Sequence, residues 1–189
     1  MNILFLNASR KKGNIAILLS AMFKKAVSLG HECELVNITD THVVPCHSCM
    51  LCRIKGHCFM PEDDSQIMLS KLSKCDVFVV GVPTYFGNMP GTLKVMFDRM
   101  IYGMVKEDGS SGRFTPLMKG KRAVIINTSN IFYPCTIFNK HTSGCVNSLK
   151  EIFRMSGIKV EKVYERSKID KYPVNNLDLK KVTRIMEKL

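Results

Sequence analysis

The chain reads as a doubly wound α/β domain built on a five-stranded parallel sheet, with helices on both faces and strand order 2-1-3-4-5. Short apolar runs alternate with amphipathic helical segments from one end to the other. Right-handed crossovers then join the five runs into one parallel sheet. The length of 189 residues and apolar content of 46% suffice for one well-buried core and are short for two. No internal repeat, low-complexity tract or linker divides residues 1–189, so one domain is expected.

Residues 2–8 form the first predicted strand, and a turn at 9–13 leads into a helix over Asn14–Leu29. Its Ile15, Leu18, Leu19, Met22, Phe23 and Val27 recur at helical spacing, and Gly30 stops it. Glu32–Thr39 is strand 2. Residues 40–62 carry no strong periodicity and form a long Cys-rich loop, a length that usually signals function inside a compact domain. Asp64 is expected to cap a helix over Gln66–Leu72, followed by strand 3 at Asp76–Val82. A helix runs from Pro90 to about Met104, and Glu107–Thr115 is a polar Gly/Ser loop. Lys121–Thr128 is strand 4, Asn139–Ser156 a helix ended by Gly157, Ile158–Tyr164 strand 5, and Leu177–Leu189 the last helix.

The apolar runs fall well below the roughly 20 residues of a membrane span. Residues 1–7 lack a basic leader and cleavage site, so a cytoplasmic, membrane-free protein is expected. The formal charge of +12 arises from 28 basic and 16 acidic residues that are scattered rather than clustered. With no nucleic-acid motif, that field suits phosphate-bearing small molecules better than nucleic acid.

Two loops carry chemistry. Strand 1 runs into Ala8-Ser9-Arg10-Lys11-Lys12-Gly13-Asn14-Ile15, a loop and helix start that can hold an anion on free N–H groups. An ordinary helix cap with a solvated basic turn explains the same residues. The turn is neither a G-x-G-x-x-G fingerprint nor a P-loop, which disfavours Rossmann dehydrogenases and P-loop NTPases. The second loop, Pro83-Thr84-Tyr85-Phe86-Gly87-Asn88, follows an apolar strand and offers backbone N–H groups and a flat wall to a planar ring such as isoalloxazine.

Ser9-x-Lys11-x-Gly13-Asn14, then Pro83-x-Tyr85-Phe86-Gly87-Asn88-Met89 and Lys94-x-x-x-Asp98-Arg99, resembles the NAD(P)H-dependent FMN reductases of the flavodoxin-like superfamily. The likeness is dense over residues 1–102 and thinner beyond. It implies a phosphate shell of Ser9, Lys11, Gly13, Asn14 and Ile15, and a ring shell of Pro83, Thr84, Tyr85, Phe86, Gly87 and Asn88. Thr128, in the strand 4 loop Asn127–Asn130, falls where a third flavin contact occurs. Relatives carry glycine at the place of Ala8 and a hydroxyl residue at that of Ile15; the Ile15 N–H is still available. Asp98 and Arg99 read as a helix-borne ion pair supporting the fold or an interface, and Lys94 goes either way.

Cys46-x2-Cys49-x2-Cys52-x5-Cys58 places four soft thiolates within thirteen residues. The run resembles the cluster motif of iron–sulfur flavoproteins, where it binds [4Fe-4S]; it equally resembles FMN reductase loops that hold no cluster. Zinc, with His47 and His57 as substitute ligands, is a third reading. Cys33, Cys75, Cys135 and Cys145 read as buried apolar residues, and His31, His42 and His141 carry no signal.

The resemblance implies an FMN oxidoreductase that takes a hydride from NAD(P)H and passes electrons to a small or protein acceptor. The Gly87–Asn88 N–H groups would stabilise charge on the reduced ring, and no general acid stands out. An iron–sulfur flavoprotein electron carrier is the first alternative, and a basic regulatory protein without catalysis the second. A homodimer or homotetramer is expected, with Glu107–Thr115 and Asn130–His141 as interface or covering loops.

Overall fold

The computed structural model describes residues 1–108, 113–130 and 143–189. The elements are β1 (Asn2–Asn7), α1 (Asn14–Ser28), β2 (Glu32–Asn37), a 3₁₀ turn (Ile38–Asp40), α2 (Leu51–Lys55), α3 (Asp64–Lys74), β3 (Val77–Pro83), α4 (Gly91–Met104), β4 (Val105–Asp108), β5 (Arg113–Pro116), β6 (Arg122–Thr128), α5 (Ser143–Ser156), β7 (Lys159–Arg166) and α6 (Asn176–Met186).

The main sheet has the order β2-β1-β3-β6-β7, and every pair is parallel. This is the expected 2-1-3-4-5 arrangement, because β4 and β5 form a separate antiparallel hairpin that intervenes in sequence but not in the sheet. Strand alternation sorts the core into two layers. Ile3, Phe5, Val77, Val79, Val124 and Ile126 pack against Ile15, Leu18, Leu19 and Met22 of α1 and Val182 and Met186 of α6. Leu4, Leu6, Phe78, Val80, Ala123 and Ile125 pack against α3, α4 and α5 through Met68, Leu72, Leu93, Met96, Leu149 and Phe153. All seven β3 residues are buried, as expected of a central strand covered on both sides. Gly81 on β3 lets α1 approach closely: a Cβ there would lie 2.5 Å from the Ile15 side chain.

Several boundaries differ from the sequence reading. The cap of α3 is Asp63, not Asp64. Its carboxylate accepts the Ser65 N–H at 2.9 Å, and Gln66 Oε1 accepts the Asp63 N–H at 2.9 Å, completing a capping box. The loop at 40–62 contains the short helix α2, and Glu107–Thr115 falls on the β4–β5 hairpin rather than a loop, its tip at 109–112 lying outside the described residues. The predicted helix start at Asn139, the Asn130–His141 covering loop after Asn130, Cys135 and His141 also lie outside them. The expected Asp98–Arg99 pair does not form: Asp98 bonds Lys94 one turn away at 2.5 Å, while Arg99 is buried and pairs with Asp63 at 3.2 Å.

Candidate functional site

Because β1, β3 and β6 are adjacent and parallel, the loops that follow them emerge along one edge of the sheet. Order reverses at β1, where β2 lies to one side and β3 to the other, so the crevice beyond β1 and β3 is the switch point. The Ala8 N–H donates to the Gly81 carbonyl at 2.8 Å, and the Thr84 N–H to the Thr128 carbonyl at 2.8 Å. These bonds extend the sheet by one rung and hold the three loops side by side.

Gly13 precedes α1 in extended conformation and no side chain caps the helix, unlike the capping boxes of α3 and α6. The Ile17 N–H returns to the Gly13 carbonyl. The preceding N–H groups of Asn14, Ile15 and Ala16 have no protein acceptor among the described residues. The Ile15 side chain is buried in the core, so Ile15 can offer a ligand only its backbone. Asn14 Oδ1 accepts the Val174 N–H at 3.2 Å, which turns the amide nitrogen into the free end. Ser9 donates its N–H to Asn7 Oδ1, and exposed Lys11 pairs with Asp40 at 2.6 Å.

Tyr85 and Asn88 exchange backbone bonds of 2.8 and 2.9 Å across Phe86 and Gly87, both with positive φ (48° and 75°). This tight two-residue turn leaves Tyr85 half-exposed and Phe86 fully exposed. Asn127 Nδ2 donates to Thr84 Oγ1 at 2.9 Å and to the Val82 carbonyl at 3.1 Å. From the other side α5 abuts the turn, where a Cβ on Gly144 would sit 2.1 Å from the Gly87 carbonyl oxygen. Cys145 beside it is fully buried, and burial pushes its thiol up to about 12 despite a hydrogen bond with Thr84. Thr128 is buried, its carbonyl taken by Thr84.

Sequence reasoning missed a fourth wall, the connection from β7 to α6. Ser129 donates to the Arg166 carbonyl, Ile169 to Ser129, and Asp170 to Asn130 Oδ1. Buried Asp178 holds this connection from below: it accepts the Tyr164 hydroxyl at 2.7 Å, the Asn175 N–H and Arg166 Nε. Burial raises the Asp178 carboxyl, and these bonds with the Arg166 charge outweigh burial and leave it below its ordinary value. Asn175 and Asp178 form the capping box of α6, and Tyr164 and Arg166 reach Asp178 from β7, more distant in the chain.

Cys46, Cys49, Cys52 and Cys58 line one cavity of about 680 Å³, floored by Val95, Ile101 and Tyr102 of α4 and edged by Phe114 and Leu117. Cys46 and Cys49 are exposed; Cys52 and Cys58 are half-buried. Burial raises the Cys52 thiol, and crowding by Cys58, Cys46 and Cys49 raises it further. The donor chemistry therefore suits a cation, whose charge relieves that crowding. Among the described residues no group of three or more His, Cys, Asp or Glu is already gathered for a metal ion. His57 stacks on Phe59 at 4.6 Å instead.

The model of the NADPH-dependent FMN reductase family matches residues 1–164. The chain belongs to that family. Family membership agrees with an uncapped helix start and a rigid hairpin turn at the switch point, which fit the phosphate and the ring of FMN respectively. An "Iron-sulfur flavoprotein" of Archaeoglobus fulgidus is 37% identical over 99 residues, 52% of this chain and 48% of that protein. Another, of Methanosarcina thermophila, is 33% identical over 102 residues, 53% of each. The matches thus span about half the length of these relatives. The fold is that of an azoreductase from Bacillus anthracis str. Sterne (TM-score 0.78, 14% identity, 100% of both chains). It is also that of an FMN-dependent NADH-azoreductase from B. anthracis str. Ames Ancestor, solved with FMN (TM-score 0.77, 16% identity, 99% and 98% covered). No helix among the described residues is long and apolar enough to cross a membrane.

Proposed function

We propose that this FMN reductase family member is an FMN-dependent NAD(P)H oxidoreductase that delivers electrons to a small or protein acceptor. The observation that carries this reading is the pairing, at one switch point, of an uncapped helix start with a locked hairpin turn. Bound FMN would supply the redox chemistry, accepting hydride equivalents from a nicotinamide and releasing electrons onward.

The chain's own part is binding and electrostatics. The N–H groups of Asn14, Ile15 and Ala16, the Asn14 amide and Ser9 hold the phosphate, with Lys11 adding charge once a phosphate competes with Asp40. Pro83 and Thr84 set the height of the turn, and Tyr85 and Phe86 offer aromatic surface to the ring and to the nicotinamide. Gly87 and Asn88 carry backbone groups at the ring edge, and Thr128 serves by holding Thr84 through its carbonyl rather than by direct contact. Exposed Ile54, Phe59, Ile101 and Phe114 beside the cysteine cavity support assembly as a homo-oligomer.

A second reading adds a [4Fe-4S] cluster on Cys46, Cys49, Cys52 and Cys58, supported by their shared cavity and by the names of the curated relatives. One anaerobic purification tests both. A flavin double band, NADPH oxidation and no iron establish the reductase alone; a broad added shoulder with about four irons per chain establishes the cluster. A chain that stays colourless with added FMN and gains no thermal stability refutes the proposal.

A further inference from the structure

Arg99 is an unusual residue for the buried face of α4. Its side chain is wholly buried, and its only charged partner among the described residues is Asp63, itself 7% exposed, at 3.2 Å. Nη2 also donates to the Pro61 carbonyl at 3.0 Å, Nη1 lies on the Met60 sulfur, and buried Nε has no partner. A buried guanidinium in an incomplete set of bonds is costly.

The geometry it fixes is that of the cysteine loop. Asp63 accepts Arg99 and also the Val44 N–H at 3.0 Å, while Asp64 accepts the His42 N–H at 2.7 Å. The two legs of the loop, residues 42–44 going out and 60–64 coming back, are thereby tied to each other and to α4. The same helix starts just after the flavin turn and supplies Val95, Ile101 and Tyr102 to the cysteine cavity. Near the tip, Arg53, 51% exposed, pairs with Glu107 of β4, 23% exposed, at 2.8 Å. This half-exposed pair ties the tip to β4, and the wholly buried clamp ties the base to α4.

We infer that Arg99, through Asp63, is the positioning residue of the cysteine loop: it closes the loop's base on α4 and so keeps Cys46, Cys49, Cys52 and Cys58 on one cavity. This rests on the reading of the four thiols as a ligand set for its metal consequence, but not for the placement of the loop. Among the described residues Arg99 bonds Met60, Pro61 and Asp63 and no thiol, so its role is one of positioning.

The test uses the FMN-loaded full chain with Arg99→Lys, Asp63→Asn and the double variant. Iodoacetamide labelling of each cysteine is followed by peptide mass spectrometry, and Co²⁺ alone probes the thiols through its thiolate charge-transfer absorption. The single variants should label Cys52 and Cys58 about tenfold faster while Cys145 stays protected and FMN affinity stays within about twofold. Co²⁺ affinity should drop by about 10–100-fold, the usual effect of losing an outer-shell support. The double variant should be no worse than the worse single, as one device requires. Unchanged labelling and Co²⁺ affinity overturn the inference. So does joint loss of Cys145 protection and FMN binding, which marks general destabilisation. A wild-type chain without a Co²⁺–thiolate band defeats the metal reading, and the labelling arm still decides the clamp.

Discussion

The switch-point edge, where we propose that flavin binds, and the cysteine loop are both segments that leave the end of a strand, yet they are held in opposite ways. At the flavin edge, backbone bonds continue the sheet beyond its last residues, the Tyr85–Asn88 turn closes on itself, and α5 presses on Gly87. The cysteine loop has only a five-residue helix of its own, with left-handed Met50 and Gly56 at its two ends, and depends on side chains from α3 and α4 at its base. A loop set assembled from strand ends is held by the backbone ladder itself. A site of soft ligands on a long loop takes shape through remote supports and through whatever it binds.

Thiol chemistry should show the contrast at its largest. Cys145 beside the turn is wholly buried, and burial pushes its thiol up to about 12, so little thiolate is available to react. Alkylation of the native protein should therefore modify exposed Cys46 and Cys49 at least about a hundredfold faster than Cys145. Comparable rates, read by peptide mass spectrometry, would break the comparison.

Arg99→Met should be the costliest single change for the fold. Removing one partner of a buried pair strands the Asp63 carboxylate, and urea unfolding should show a loss of about 3–5 kcal/mol. Gly144→Ala comes next. The added methyl meets the Gly87 carbonyl, so the turn must shift, at about 1–3 kcal/mol. If that strain falls on the bound state, flavin fluorescence titration should show FMN affinity reduced about tenfold or more, with the cysteine loop unaffected.

Acid should weaken both regions through carboxyls held below the ordinary 3.8. At Asp63, burial raises the carboxyl, but bonds from Ser65 and Val44 and the Arg99 charge win; at Asp178, those from Tyr164, Asn175 and Arg166 do. Such groups add stability above pH 3.8 and lose it as pH falls through their lower folded values. Asp63→Asn should flatten that acid arm in melting experiments. Lys11→Met should have the smallest effect, weakening FMN by about two- to fivefold and less at high salt, since Lys11 is exposed and partly neutralised by Asp40.

Strand order, both helix layers and the two loops at the switch point were legible because they follow from local pattern: apolar runs, helical periodicity and Pro/Gly punctuation. Two readings failed for different reasons. The Asp63 cap carried a sequence signal that the reading missed: Gln66 stands three residues after it, the capping-box spacing, and both reciprocal bonds form. Asp98 and Arg99 are neighbours in sequence, but consecutive helix positions point about 100° apart, so one meets Lys94 and the other meets Asp63. The role of Asn14 was half legible: its place at the helix start was plain, while the orientation of its amide depends on Val174, far along the chain.

Sequence alone therefore determined the parallel sheet, its switch point and which loops border it, because burial periodicity and turn chemistry are properties of neighbouring residues. Tertiary structure decided which side of α4 each charged residue serves, that four cysteines share a cavity, and that the β7–α6 connection bonds to the loop after β6. Those outcomes depend on groups remote in the chain meeting at hydrogen-bond distance, and such meetings exist only once the layers have packed.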